Sequence, residues 1–309
     1  MNPPAAVGVD ALSRSFGAHL AVGDLSFSVA QGELFGLVGP DGAGKTTTLR
    51  MLAGVLRPTS GDATLFGTSV ASDPEKAKHH LAYMPQRFGL YTDLTVRENL
   101  DFYADLYRVP RHERPARLER LYAFSGLGPF QDRLAGQLSG GMKQKLGLSC
   151  ALVHQPPLLL LDEPTFGVDP VSRRQLWLIV HEMVVEGTTA IVSTSYMDEA
   201  ERMDKVALLH HGRIVALDTP AHVQARHGGV VYSVRVADTR QGAKLLRQVV
   251  GVSRVVVFGD SLHVSVDPTL AGTATLESAI AVLGPGTVQR IEASMEDAFI
   301  ALIEADAAA

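Results

Sequence analysis

One cysteine, Cys150, stands among 309 residues. That excludes a disulfide framework and fits a reducing cytosol, where such a residue serves as a small core side chain on a helix. Nowhere do about 18 uncharged apolar residues run together, so no segment is expected to span a bilayer and any membrane role has to come through a partner. The opening Met1-Asn2-Pro3-Pro4-Ala5-Ala6 has neither the basic nor the apolar region of a secretory leader. Basic charge is short as well. Lys and Arg number 28 against 33 Asp and Glu, for a formal net charge of −5 and a pI near 6.1, whereas a nucleic-acid partner asks for a basic face. There is no low-complexity tract and no internal repeat.

What the chain does have is apolar content: 46% hydrophobic residues and 29 glycines, enough for a full α/β core with room for a second, smaller domain. Its most informative stretch is Gly39, Pro40, Asp41, Gly42, Ala43, Gly44, Lys45, Thr46 and Thr47. The apolar run 34–38 leads in as a buried strand, and 46–52 leads out as a helix. Glycines in that setting turn backbone N–H groups inward around a polyphosphate, which also lies on the positive end of the helix dipole. Lys45 is then placed to reach the β- and γ-phosphates, and the Thr46 hydroxyl to ligate Mg²⁺. The spacing G-x-x-x-x-G-K-T points to a nucleoside triphosphate.

Residues 7–29 alternate as two or three strands, with turns expected at Gly17 and Gly23. Phe16 either stacks on an adenine ring or is a core aromatic. Gln86 follows the apolar run 81–84, with an amide oxygen available to Mg²⁺ or water. A capping box, Thr95-Val96-Arg97-Glu98, opens a helix that carries Leu100, Tyr103, Leu106 and Tyr107 on one face. Arg108, Arg111, Arg114, Arg117 and Arg120 recur every three residues, but Pro115 interrupts and Glu113 and Glu119 dilute them, which favours a solvated face over a lipid-binding strip. In Leu138-Ser139-Gly140-Gly141-Met142, a serine and two glycines open a helix, as a second anion site or as an ordinary N-cap. The buried strand 158–161 ends in Asp162, placed to hold Mg²⁺ through water, and Glu163, placed to polarise an attacking water. Two adjacent carboxylates are too costly to bury unpaired as filler.

In this order the glycine loop, Gln86, Leu-Ser-Gly-Gly-Met and Leu-Leu-Leu-Leu-Asp-Glu-Pro resemble the ATP-binding subunits of ABC transporters over residues 7 to about 226. The resemblance implies an α/β fold of the P-loop NTPase class over 1–226, with a helical subdomain at about 87–153, and an ATPase that uses ATP and Mg²⁺. It implies a head-to-tail dimer, with an identical chain or a second cassette, in which ATP lies between the Walker A loop of one domain and the signature motif of the other. Phe16 matches the adenine-stacking aromatic, Lys45 and Thr46 the Walker A groups, and Gln86 the Q-loop. Ser139, Gly140 and Gly141 match the signature, Asp162 the Walker B aspartate, Glu163 the catalytic base, and Phe166-Gly167-Val168-Asp169 the D-loop. Ser195 stands where the family carries its switch histidine, and Asp41 where asparagine is more usual.

The wording Gly-Met-Lys-Gln-Lys-Leu and Tyr-Met-Asp-Glu-Ala-Glu is most similar to bacterial multidrug and daunorubicin-type exporter subunits. That implies a separate transmembrane permease and a cytoplasmic position at the inner face of the membrane. A soluble ABC ATPase acting on ribosomes is the alternative, but such proteins usually carry two cassettes or a coiled-coil insertion, and neither is present here. A non-hydrolysing regulatory subunit is kept open by Ser195. Residues 227–309 read as strand, helix, strand, hairpin turn at 259–261, strand, helix, strand and a capped helix from Ser294, a small α/β sandwich. Over 228–309, six basic residues against nine acidic ones leave no nucleic-acid footprint. No catalytic constellation appears there, so this part is expected to be an assembly or regulatory module, or a passive cap.

Overall fold

The computed structural model describes residues 5–87 and 89–308; the Met1–Pro4 start, part of the stretch read above for a leader, lies outside them. The chain forms two compact units, Met1–Thr219 and Pro220–Ala309. The division falls ahead of the boundary at 226 read from the sequence, because a short helix, Pro220–Ala225, goes with the second unit.

Two sheets build the first unit. β1 (Ala5–Phe16) and β2 (His19–Ala30) form one long antiparallel hairpin whose turn contains Gly17, at φ +59°. Gly23 makes no turn: it lies inside β2, and its N–H donates to Gly212 O at 2.9 Å. The second sheet starts with β3 (Leu34–Val38), and the first is completed by β4 (Ser60–Leu65) and β5 (Thr68–Ser69) in the order β2-β1-β4-β5. The second sheet continues with β6 (Leu81–Met84), β7 (Leu158–Asp162), β8 (Thr189–Thr194), β9 (Lys205–His210) and β10 (Arg213–Asp218), in the order β10-β9-β3-β8-β7-β6. All its pairings are parallel except that of the edge strand β10. Every residue of β3, β7 and β8 is buried, which is why β3 and the four leucines of β7 read as unbroken apolar runs instead of alternating. Between the sheets, Phe27 stacks on Phe35 with centroids 5.1 Å apart, and Leu49 and Leu52 pack into the same core.

The helices follow from local signals. α1 (Lys45–Leu52) leaves the glycine loop, and Asp73 caps α2 (Pro74–Lys78). α3 (Val96–Leu106) begins with the capping box, Glu98 N donating to Thr95 Oγ1 and Thr95 N to Glu98 Oε2. It buries Val96, Leu100 and Ala104, whereas Leu106 is 58% exposed and Tyr107 38%. The single face expected from Leu100 to Tyr107 is therefore split, the buried stripe advancing four residues at a time. Pro115 does not break α4 (Arg114–Ser125) but starts it, in the first turn where its missing N–H costs nothing. Arg114 pairs with Asp105, Arg117 with Glu113 and Arg120 with Glu186, so these arginines are committed within the chain. α5 (Gly140–Leu152) buries Cys150, whose thiol is pushed well up by that burial. α6 (Pro170–Val185) is capped by Asp169, and α7 (Met197–Ala200) follows β8.

The second unit contains α8 (Pro220–Ala225), β11 (Val230–Arg235), α9 (Thr239–Leu246), β12 (Val252–Phe258), β13 (Ser261–Val266), α10 (Thr273–Ile280), β14 (Thr287–Ile291) and α11 (Met295–Ala308). Its sheet order β12-β13-β11-β14, antiparallel throughout, is the βαββαβ ferredoxin-like arrangement. Leu262, Val264 and Val266 of β13 enter a core with Leu246, Leu276 and Ile280. Ser261, His263 and Ser265 alternate with them on the other face, where His263 Nδ1 meets Asp297 Oδ2 of α11 at 2.9 Å.

Candidate nucleotide site at the strand ends

In an open parallel sheet the loops at the carboxyl ends of the strands form the natural ligand crevice. Here β3, β6, β7 and β8 deliver Gly39, Gln86, Glu163 and Ser195 to that edge. Gly39 N–H donates to Thr194 O at 3.2 Å, and a Cβ at Gly39 would lie 2.3 Å from Leu209 O, so only glycine fits. Gly44 precedes α1 at φ +103° with Ala21 O 2.8 Å from any added Cβ, which again demands glycine. No side chain caps α1 and its first turn holds no acidic residue, leaving the helix end to an incoming anion. Lys45, 4% exposed, curls back over the loop: its Nζ donates to Gly39 O at 2.7 Å and Pro40 O at 3.1 Å and faces Glu163 Oε1 at 3.1 Å.

Asp162 closes β7 and is buried. Its Oδ1 accepts from Thr46 Oγ1 at 2.9 Å and Ser193 Oγ at 2.7 Å, and its Oδ2 from Tyr83 OH at 3.2 Å. Burial, and then the Asp162 charge, push the Tyr83 phenol up to about 12. Glu163 sits at φ +48°, a left-handed backbone held by N–H donation to Ser193 Oγ (3.0 Å) and Ser193 O (3.1 Å). That twist turns adjacent carboxylates to different partners, and Glu163 Oε2 accepts from Gln86 Nε2 at 3.1 Å. Lys45, Thr46, Gln86, Asp162 and Glu163 are thus brought together. Among them, Thr46 and Asp162 offer hard oxygen donors 2.9 Å apart, a set that suits Mg²⁺, which takes few protein ligands and keeps waters and phosphates. When bound, such a cation supplies charge neutralisation at phosphate oxygens.

A cleft of about 450 Å³ opens over the loop, lined by Phe16, His19, Ala21, residues 41–47, Gln86, Glu163 and Phe166. Phe16 is 48% exposed, with the Arg14 guanidinium carbon 4.6 Å from its ring centroid, so it is no core aromatic. Gly39 and Pro40 lie under the loop as acceptors for Lys45. His19 and Ala21 escaped the sequence reading; the usable signal was the hairpin itself, which sets His19 opposite Phe16. Ser193 and Tyr83 also escaped it; Ser193 lies inside β8, two residues before Ser195, which follows that strand.

Ser139, Gly140, Gly141 and Ser195, also read from the sequence, stand apart from this cluster and do not line the cleft. Ser139 caps α5, accepting from Met142 N at 3.3 Å, and a Cβ on Gly140 would meet nothing within 4 Å. Gly141 packs against Ser172, whose Oγ would be 2.3 Å from an added Cβ. Ser195 follows β8, half-buried, and does not line the cleft. Nearby, Asp169 accepts from Ser172 N and Val171 N, and hydrogen bonds led by Ser172 hold its carboxyl below the usual range.

A glycine loop running from a central parallel strand into a helix, with lysine, hydroxyl and carboxylates meeting at the strand ends, defines a P-loop nucleoside triphosphatase. Residues 22–166 match the family model described as ABC transporter. The chain is 36% identical over 269 residues to the daunorubicin/doxorubicin resistance ATP-binding protein DrrA of Streptomyces peucetius, covering 87% of this chain and 80% of that one. It is 54% identical over 200 residues to the probable multidrug ABC transporter ATP-binding protein YbhF of Escherichia coli (strain K12), covering 65% of this chain and 35% of that one. This chain therefore matches only about a third of the length of YbhF. A solved structure, that of an ATP binding subunit of an ABC transporter, aligns with TM-score 0.66 at 32% identity, covering 72% of this chain and 93% of that chain. The chain belongs to the ABC transporter family, as an ATP-binding cassette.

Proposed function

We propose that this chain hydrolyses ATP, with Mg²⁺, to drive a separate membrane permease that exports a small amphipathic compound. The observation that carries the site assignment is the cluster of Lys45, Thr46, Asp162, Glu163 and Gln86 around one glycine loop. In this reading Lys45 and the loop hold the phosphates, Thr46 and Asp162 hold the cation, Glu163 takes the proton of the attacking water, and Phe16 carries the adenine ring. Ser139, Gly140 and Gly141 lie outside their own chain's cleft, which supports a role in completing the site of a second cassette. Permease docking is supported by an exposed aromatic pair, Tyr91 and Phe102, whose ring centroids are 4.6 Å apart. The names of the relatives, multidrug ABC transporter and daunorubicin/doxorubicin resistance, support a drug-like cargo.

Ser195 adds a refinement. A hydroxyl in place of an imidazole cannot carry positive charge, so this chain's own site works slowly, and its partner is a cassette that keeps a histidine. The test of the main reading is Lys45→Ala. It is expected to lose ATP binding and transport, since no other cation in the loop replaces the lysine. Unchanged ATP affinity in that variant, measured by calorimetry, would refute the site.

A further inference from the structure

Glu199 of α7 has no exposed surface, and nothing assigned so far uses it. Its Oε1 accepts from Thr165 Oγ1 at 2.8 Å and Trp177 Nε1 at 3.0 Å, and its Oε2 from Thr194 Oγ1 at 2.6 Å. Arg173 Nε stands 3.7 Å from Oε1, too far for a hydrogen bond but near enough to serve as counter-ion, and the Arg173 guanidinium carbon lies 4.1 Å over the Tyr196 ring. A carboxylate taken fully out of water is tolerated only when donors surround it, and here three neutral donors do so.

Those donors come from three separate segments. Thr194 ends β8: its carbonyl accepts from Gly39 N, the first residue of the glycine loop, and its hydroxyl accepts from Tyr196 N at 3.0 Å. Thr165 stands two residues beyond Glu163, and Trp177 lies in α6. If Thr194 moves with the glycine loop, Glu199 has to follow, and Thr165 and Trp177 have to follow it, because any donor left behind would be buried without a partner.

We propose that Glu199 is a positioning residue for ATP hydrolysis, tying the 194–197 segment that carries Ser195 to the Glu163 loop and to α6. The proposal rests on the ATPase reading above. Trp177 is the one tryptophan of the chain and donates directly to Glu199, so its fluorescence reports this junction.

The experiment uses the full chain, titrated with Mg-ATP while Trp177 emission, ATP affinity by calorimetry and steady-state hydrolysis are followed. Glu199→Gln keeps the shape but removes the charge and turns one acceptor oxygen into a donor, so one of the three donors loses its acceptor. The variant is expected to bind ATP within about threefold of wild type, to lose at least about tenfold in kcat, and to lose the ATP-induced change in Trp177 emission. Should Glu199→Gln fail to fold, Thr165→Val removes only the link to the Glu163 loop. It is expected to lower kcat by a similar factor while the emission change survives. A folded variant with wild-type kcat, or a wild type whose Trp177 emission ignores Mg-ATP, overturns the proposal. A wild type that binds no ATP overturns the ATPase reading itself, a result distinct from either.

Discussion

Lys45 answers to two anions. Its ammonium faces Glu163 at 3.1 Å, so a polyphosphate entering the loop has to displace that carboxylate. Glu163→Gln removes the competitor together with the proposed base. The variant is expected to bind ATP at least as tightly as wild type and to hydrolyse it about 10²- to 10⁴-fold more slowly. Equilibrium dialysis and single-turnover hydrolysis check the two halves, and wild-type turnover would remove Glu163 from the role of base. At Ser195 the expectation runs the other way. Ser195→His is expected to raise hydrolysis by the isolated chain, because an imidazole reaches further and can be charged. If the wild type already turns over as fast as that variant, pairing with a histidine-bearing cassette loses its rationale.

Among the elements, the turn after α5 carries a titrating group of its own. His154 stacks on Tyr107 with ring centroids 3.8 Å apart, and burial, assisted by the Arg117 charge, holds its pKa down to about 4. An unfolded histidine titrates near 6.5. Between about pH 6.5 and 4 the unfolded chain therefore binds more protons than the folded one, so stability falls as pH drops through that window and loses nothing more from this group below it. His154→Phe keeps a ring against Tyr107 and removes the proton site. Urea melts of the two proteins at about pH 7 and about pH 5 are expected to show a smaller acid loss in the variant. An identical loss would show that His154 is not the group responsible.

For the whole molecule, every residue lining the cleft precedes Pro220, and the second unit has a core of its own built on Val234, Leu246, Leu262 and Leu276. Removal of residues 220–309 is therefore expected to leave ATP affinity unchanged, while assembly with the permease or transport suffers. Calorimetry on the truncated chain and drug-efflux assays in cells carrying it check both. Lost ATP binding in a soluble, folded truncation would show that the second unit supports the site.

Whatever depends on neighbours along the chain was legible in the residues alone. The loop from Gly39 to Thr47, the Asp162-Glu163 pair, the Thr95–Glu98 capping box and the order of elements after residue 228 are local patterns, each fixed by backbone freedom, helix capping or the two-residue period of a strand. The remainder came from packing between segments far apart in the chain. That Ser193 meets Asp162 follows from β8 lying beside β7 with those two residues in register. Unbroken apolar runs announce buried strands but say nothing of their order, since any of them satisfies the same hydrophobic demand. The contact of Gln86 with Glu163 spans 77 positions, and the burial of Glu199 needs α6, β8 and the Glu163 loop at once. Pro115 and Leu106 mark the same limit: a proline reads as a break or a start, and an apolar side chain as core or surface, only once the packing of the helix is known.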